Sequence, residues 1–344
     1  MRGGIDLGGT KIQAVVTDEH DSVSGEARRS TPRHGGPSDV AAAMAASLEE
    51  AAKAAGVEPR TLTGIGVGCP GVVDEAKGTV ANARNLPDWT APFPLAETLA
   101  NRFGVPVRIG NDVGTAVEGE AVLGAGRSFR TFLGLWWGTG VGGAIMVEKH
   151  RWLGRGAAGE IGHMVIKLGG AKCTCGRRGC LEAYAGRAAM ERKARRDQKR
   201  GVETRLFALM QERKHDHLTS SVWQHALNEH DAYAERMIER AIRALGAGAA
   251  SAVNLIDVEA VVVGGGLGTR LGEPGLARIR EAMLPHLFVD DRRPEVKLTE
   301  LGDLGGAISA ARLARAQHGR GTATTCQGRR GWPRSRRSPP VPPR

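Results

Sequence analysis

Apolar positions along this chain fall into short runs, glycine-punctuated turns and Ala-rich stretches. Ile5-Asp6-Leu7 enters a glycine turn and Ile12 to Thr17 leaves it, so the chain is predicted to open on a strand–turn–strand unit. Residues 39–55 are Ala-rich, with Met44 and Leu48 at helical spacing, and predict a helix. Ile65 to Gly68 and Val105 to Ile109 are runs of buried-strand length, and residues 113–123 predict a helix after the second. Thr131 to Trp137 leads into GTGVGGAIMV, a second strand–turn–strand unit. Residues 183–217 predict highly charged helix, and 229–256 one long helix with Ala232, Met237, Ile238, Ile242 and Leu245 on its apolar face. Ala260 to Val263 predicts a buried strand ending in glycines, and 303–316 a last Ala-rich helix. The strand–glycine turn–strand unit thus occurs twice, an internal repeat in turn chemistry rather than in residues generally.

Composition changes this picture at a few points. The 344 residues suffice for two domains, and 41% hydrophobic residues for a sizeable core. Glycine, at 49 residues, clusters in runs such as Gly264-Gly265-Gly266, the pattern of tight turns near ligands. Aromatics at 4% argue against a base-stacking surface. The net charge of +11 includes seven Arg between Gly319 and Arg344; without them +4 remains, which does not point to nucleic acid. The start MRGGIDLGG lacks a leader-length apolar stretch, and no window reaches the length of a membrane span. Of five Cys, three lie within eight residues, which favours a metal site in a reducing cytoplasm over disulfides. Beyond about Gln317 the chain is Arg, Pro, Gly and Ser, a composition expected to be disordered; deleting residues 319–344 is expected to leave activity intact.

Candidate chemistry sits at the turns. In Asp6-Leu7-Gly8-Gly9-Thr10-Lys11 the glycines would admit a phosphate to backbone N–H groups; Thr10 adds a hydroxyl, Lys11 a charge, and Asp6 stands where a Mg²⁺–water shell would lie. The same segment is compatible with a plain hairpin. Gly138-Thr139-Gly140-Val141-Gly142-Gly143 is a second such turn, and two of them suggest phosphates clamped between two domains. Asn111-Asp112, at the end of a strand and the start of a helix, suits either catalysis or an N-cap. Val261 to Leu267 suits an adenosine pocket or a helix-entry turn. Asn85 is a turn residue or a ligand to a sugar hydroxyl, Gly71 could bring backbone close to substrate, and Cys69 reads as buried filler.

The most specific local signal is His163-x9-Cys173-x-Cys175-x4-Cys180. Three thiolates and an imidazole make a closed tetrahedral Zn²⁺ site, structural rather than catalytic because no position stays open. Glu160, His163 and Glu182 flank the loop and are suited to a polyhydroxylated sugar.

Together the motifs DLGGTKI, CPGVVD, NLPDW, Asn111-Asp112, GTGVGG, GEIGH, CTCGRRGCLE, VVVGGGL and LGDLGGAISAA resemble the ROK family of repressors, open reading frames and sugar kinases, over roughly residues 3–315. The resemblance implies an α/β, actin-like (hexokinase/acetate kinase/Hsp70-type) two-domain fold with an interdomain cleft. The domains would be 1–115 and 116–302, the second carrying the zinc loop 160–182, with 303–316 a terminal helix packing back on the first and 317–344 the disordered tail. It implies ATP-dependent phosphorylation of a hexose 6-hydroxyl, glucose first, with Asp112 as base. Mannose, fructose, N-acetylglucosamine and N-acetylmannosamine fit the same motif residues, as does polyphosphate as donor. Gly71, Asn85, Asn111, Asp112, Glu160, His163 and Glu182 would contact the hexose, His163 using one nitrogen for zinc and the other for sugar. Gly9, Thr10 and Lys11, with Gly138, Thr139 and Gly140, would hold the phosphates, and Gly265 and Gly266 would lie near the adenosine. A cytoplasmic homo-oligomer, dimer or tetramer, is implied, with no membrane partner.

The pattern departs from the family at three places. Gly3 and Gly4 stand where apolar strand residues are usual, and two glycines are expected to weaken a central strand. Ala144 follows Gly143 where a third glycine is common, and the tail matches nothing in the family. A repressor of this family would need a helix-turn-helix before the first glycine turn; with Asp6 the sixth residue, no room is expected for one.

Overall fold

Two five-stranded sheets repeat one strand pattern in a computed structural model that describes residues 1–83, 85–289 and 291–315. The first sheet uses β1 (Arg2–Leu7), β2 (Lys11–Thr17), β3 (Val23–Ser30) and β4 (Ile65–Cys69). A two-stranded ribbon of β5 (Val72–Asp74) and β6 (Thr79–Ala81) follows, and β7 (Val107–Asn111) completes the sheet in the order β3-β2-β1-β4-β7. The second sheet uses β8 (Phe132–Trp137), β9 (Val141–Val147), β10 (His150–Trp152), β11 (Ala260–Gly264) and β12 (Glu295–Leu298), in the order β10-β9-β8-β11-β12. In each sheet three strands meander antiparallel and two more join in parallel. The repeat read in the glycine turns is therefore a repeat of topology, with β1-turn-β2 corresponding to β8-turn-β9.

Ten helices cover these sheets among the described residues: α1 (Pro37–Ala54), α2 (Leu95–Phe103), α3 (Asp112–Leu123), α4 (Glu182–Ala185), α5 (Arg187–Gln198), α6 (Leu206–Glu212), α7 (Ser220–Asn228), α8 (Ala232–Ile256), α9 (Gly265–Met283) and α10 (Gly305–Leu313). Met44 and Leu48 of α1 pack with Ile5, Leu7, Ile65 and Val67 of the first sheet. Ile238, Ile242 and Leu245 of α8 pack with Leu133, Leu135 and Val261 of the second. Each set removes apolar surface from water, roughly 1.5–3 kcal/mol for each large side chain fully buried. No described helix is long and apolar enough to cross a membrane.

The structure corrects several expectations. The two glycines do not weaken the opening strand: β1 runs from Arg2, is buried, and pairs with β2 and β4 along its length. A Cβ on Gly4 would stand 2.1 Å from the Ala307 carbonyl oxygen, and one on Gly66 1.8 Å from that of Ala310. The missing side chains let α10 lie directly on β1 and β4, its own Ala307, Ala310 and Ala311 buried there. The helix expected over 183–217 is three helices. Gly186, with φ −59° and ψ 129°, breaks α4 from α5, and a turn about Gly201 separates α5 from α6. The expected 229–256 helix begins at Ala232, where the Asp231 side chain accepts from Ala234 N–H as an N-cap. The final helix ends at Leu313 rather than 316. The tail expected to be disordered, 317–344, lies outside the described residues.

Candidate active site

Several chain segments meet at one cleft of about 800 Å³. Among them are the turn between β1 and β2, the turn between β8 and β9, the start of α3 after β7, and the start of α9 after β11. Of the residues singled out in the sequence, Asp6, Gly9, Thr10, Lys11, Asp112, Gly138, Thr139, Gly265 and Gly266 line it. The segment Gly264–Gly266 opens a helix, which is one of its two readings, and Gly265 and Gly266 line the cleft. Gly264 is the N-cap of α9 and supplies no side-chain cap, so first-turn N–H groups and the positive end of the helix dipole lie at the cleft wall. Gly265 has φ +82°, and a Cβ on it would stand 2.7 Å from the Trp137 carbonyl oxygen.

The acids at the cleft floor are enclosed by protein yet keep an opening to it. Burial, then the Asp112 charge, pushes the Asp6 carboxyl up to about 7, against a smaller opposing pull from Lys11. Burial also raises Asp112, opposed by the backbone N–H of Val113, which donates to Oδ1 at 2.9 Å, while the Glu160 charge adds a further push upward. Lys11 Nζ donates to Asp303 Oδ1 at 2.6 Å, and Gln13 Nε2 to Oδ2 at 3.2 Å. Lys11 thereby lowers the Asp303 carboxyl.

Of the residues proposed for a sugar, Asp112 lines the cleft, and Gly71, Asn85, Asn111, Glu160, His163 and Glu182 are not among its lining residues. Asn111 caps α3: its side chain accepts from Gly114 N–H at 2.9 Å. Asn85 lies against the first glycine turn, since a Cβ on Gly9 would stand 2.9 Å from its Nδ2. Gly71 follows β4 at φ +95°. Glu160 precedes a single helical turn, Ile161–His163, and its carbonyl accepts from His163 N–H at 3.0 Å. Glu182 opens α4; Oε2 accepts from Val141 N–H at 3.0 Å and Oε1 from the Thr174 hydroxyl at 3.1 Å. A Cβ on Gly140 would meet that Oε2 at 2.2 Å, so Glu182 joins the second glycine turn to the cysteine loop. Cys69 is fully buried, its thiol donates to Gly110 O at 3.5 Å, and burial pushes it well above the ordinary thiol range, as befits filler.

His163, Cys173, Cys175 and Cys180 converge so that their ligand atoms lie within 4.8 Å of one another. Cys175 and Cys180 sulfurs are 3.7 Å apart, and His163 Nδ1 is 3.9 Å from Cys173 Sγ. With Zn–S of about 2.3 Å, sulfurs on a tetrahedron stand about 3.8 Å apart, so the spacing fits a zinc ion. The Arg177 backbone N–H lowers the Cys175 thiol to about 7, while burial pushes its neighbour Cys180 up to about 12; a metal would need both as thiolates.

The ROK family model matches residues 2–317. The chain belongs to the ROK family. It is similar to the glucokinase of Thermotoga maritima, 30% identical over 323 residues that cover 92% of this chain and 98% of the relative. It is similar to the glucokinase of Streptomyces coelicolor, 33% identical over 321 residues, covering 91% and 96%. Among solved structures, a ROK family glucokinase from Streptomyces griseus in complex with glucose and AMPPNP matches with a TM-score of 0.77 at 31% identity, covering 91% of this chain and 98% of that one. The two mixed sheets are those of the actin-like ATPase fold that ROK kinases share.

Asp303, Glu120 and Arg187 are cleft residues to which the sequence of this ROK chain assigns no individual role. Asp303 lay in a quoted motif, LGDLGGAISAA, without an assigned task. Glu120, 2% exposed, accepts from the backbone N–H groups of Ala125, Glu300 and Leu301 at 2.8–3.1 Å and ties α3 to the loop before Asp303. Arg187 is buried beside Thr139. Glu120 stands between Gly119 and Ala121, and Arg187 between Gly186 and Ala188, contexts that give no local sign of such partners.

Proposed function

We propose that this chain transfers the γ-phosphoryl group of ATP to the 6-hydroxyl of a hexose, glucose first, with Asp112 as general base. The observation that carries this is the placing of Asp112 in one cleft with both glycine turns and the open N-terminus of α9. The hexose oxygen forms a bond to phosphorus as the bond from phosphorus to the bridging oxygen of ADP breaks, and the hydroxyl proton passes to Asp112. Burial lifts the Asp112 carboxyl, so it is a better proton acceptor than a solvated aspartate, and phosphoryl transfer asks for positioning more than covalent help.

Gly9, Thr10 and Lys11 would bind the phosphates from one side and Gly138, Thr139 and Gly140 from the other. The start of α9 at Gly265 and Gly266 suits the nucleotide and favours ATP over polyphosphate. Mg²⁺, held through water by Asp6, would neutralise charge on the phosphates. Gly71, Asn85, Asn111, Glu160, His163 and Glu182 would orient the sugar. A zinc ion on His163, Cys173, Cys175 and Cys180 would be structural, fixing the loop that carries His163 and ends at Glu182.

The test is ADP release with ATP and Mg²⁺ over a panel of hexoses and N-acetylhexosamines. Turnover on glucose above the others is expected. A preference for another sugar would reassign the acceptor, and no turnover on any, with folded zinc-loaded protein, would overturn the kinase reading.

A further inference from the structure

Four cations line the cleft, Lys11, Arg28, Arg187 and Arg270, and of these Arg187 is the buried one, 7% exposed. Its Nη1 donates to the Leu218 carbonyl and its Nη2 to Thr139 Oγ1, both at 2.7 Å. Its Nε is buried without a hydrogen-bond partner among the described residues. Two backbone bonds act at the same place: Arg187 N–H donates to Gly138 O at 3.1 Å and Ala188 N–H to Thr139 O at 3.0 Å. The first turn of α5 therefore grips both the backbone and the side chain of the second glycine turn. Burial lowers the Arg187 pKa, and the Glu191 charge offsets this only in part. The guanidinium is thus a cation held in low dielectric with its hydrogen bonds going to neutral oxygens.

A guanidinium has donors and no acceptor. Thr139 Oγ1 must accept from it, so the hydroxyl hydrogen is directed away from Arg187. Thr139 itself is exposed on the cleft. We propose that Arg187 is a positioning residue for the phosphoryl donor: it fixes the Thr139 hydroxyl as a hydrogen-bond donor to a phosphate oxygen and places a positive charge behind the Gly138–Gly140 turn. The inference rests on the kinase reading above and adds to it a residue, 48 positions from Thr139, that neither glycine turn contains.

A structural role alone would lower stability and weaken nucleotide and sugar together. The positioning role weakens the nucleotide. AMPPNP and glucose binding are measured by calorimetry on full-length wild type, R187Q, R187K, T139V and the R187Q/T139V double variant, with steady-state kinetics alongside. R187Q is expected to weaken AMPPNP binding roughly ten- to a hundredfold, the worth of a hydrogen bond near charge. Its glucose affinity should stay within about twofold, as for a site without shared partners. R187K, which keeps the charge and loses the fork, should fall between R187Q and wild type. In the T139V background the R187Q effect should shrink several-fold, because the hydroxyl it acts through is gone. Wild-type AMPPNP affinity in R187Q, equal weakening of glucose, or full additivity with T139V would overturn the role. If R187Q does not fold, R187K carries the same comparison. Wild-type protein that neither binds AMPPNP nor phosphorylates a hexose would overturn the kinase reading, and this role with it, before any variant is compared.

Discussion

The charge of Asp112 helps keep a proton on Asp6. Burial is the larger cause, but the two carboxyls share the cleft floor, and Asp6 is pushed from 3.8 to about 7. A folded-state value above the unfolded one means that the native protein binds more protons between those two pH values. Stability from this group is therefore complete below about 3.8 and is lost as pH rises through about 7. Thermal melting of the ligand-free protein, followed from pH 5 to 8, should show this loss, and D6N should flatten it and melt higher at pH 8. Parallel pH profiles for the two proteins would remove Asp6 as the cause.

Asp112→Asn keeps the size of the side chain and removes the proton acceptor. Turnover should fall by about 10²–10⁴-fold or more. AMPPNP affinity should be nearly unchanged, and stability unchanged or higher, since a buried carboxylate is gone. Loss of AMPPNP binding in step with turnover would mean that Asp112 shapes the site rather than accepting the proton.

Gly66→Ala should be strongly destabilising. The added Cβ would stand 1.8 Å from the Ala310 carbonyl oxygen, a backbone atom that moves only if all of α10 moves. Overpacking of this kind costs about 1–3 kcal/mol, and more where the obstacle is backbone. Urea unfolding of Gly66→Ala beside Gly36→Ala, where a Cβ meets nothing within 4 Å, separates the clash from the general effect of losing a glycine.

Cys175→Ser removes one of four candidate zinc ligands; metal analysis should find zinc in purified wild type and not in the variant, which should melt lower. The loop from Glu160 to Glu182 carries His163, so KM for the hexose should rise before KM for ATP does. A zinc-free variant with wild-type hexose KM would confine the metal to stability.

Local chemistry was legible in the sequence because it needs few residues. Glycine turns between apolar runs, the Asn111-Asp112 pair and the His-x9-Cys-x-Cys-x4-Cys spacing each state their own geometry, and the structure brings the His and Cys ligands together. Where glycine meant something non-local, the same reading failed. Gly4 looked like a weakness in a central strand, although it is the contact point for a helix more than three hundred residues further on. The charged stretch 183–217 read as continuous helix because propensity alone says little about a break at Gly186, which the fold uses to turn the start of α5 toward Thr139.

By itself the sequence determined the two strand–turn–strand units, the His and Cys spacing and the helix-starting acid, each set by residues close together in the chain, and the family, through such local motifs taken together. Tertiary structure alone decided which polar groups face one another: Asp303 on Lys11 across 292 positions, Glu120 on the Leu301 N–H across 181, Arg187 on the Thr139 hydroxyl across 48. Such pairs depend on how the two sheets and their helices close on the cleft. Coulombic and hydrogen-bond partners act over a few ångströms of space, whatever the distance along the chain.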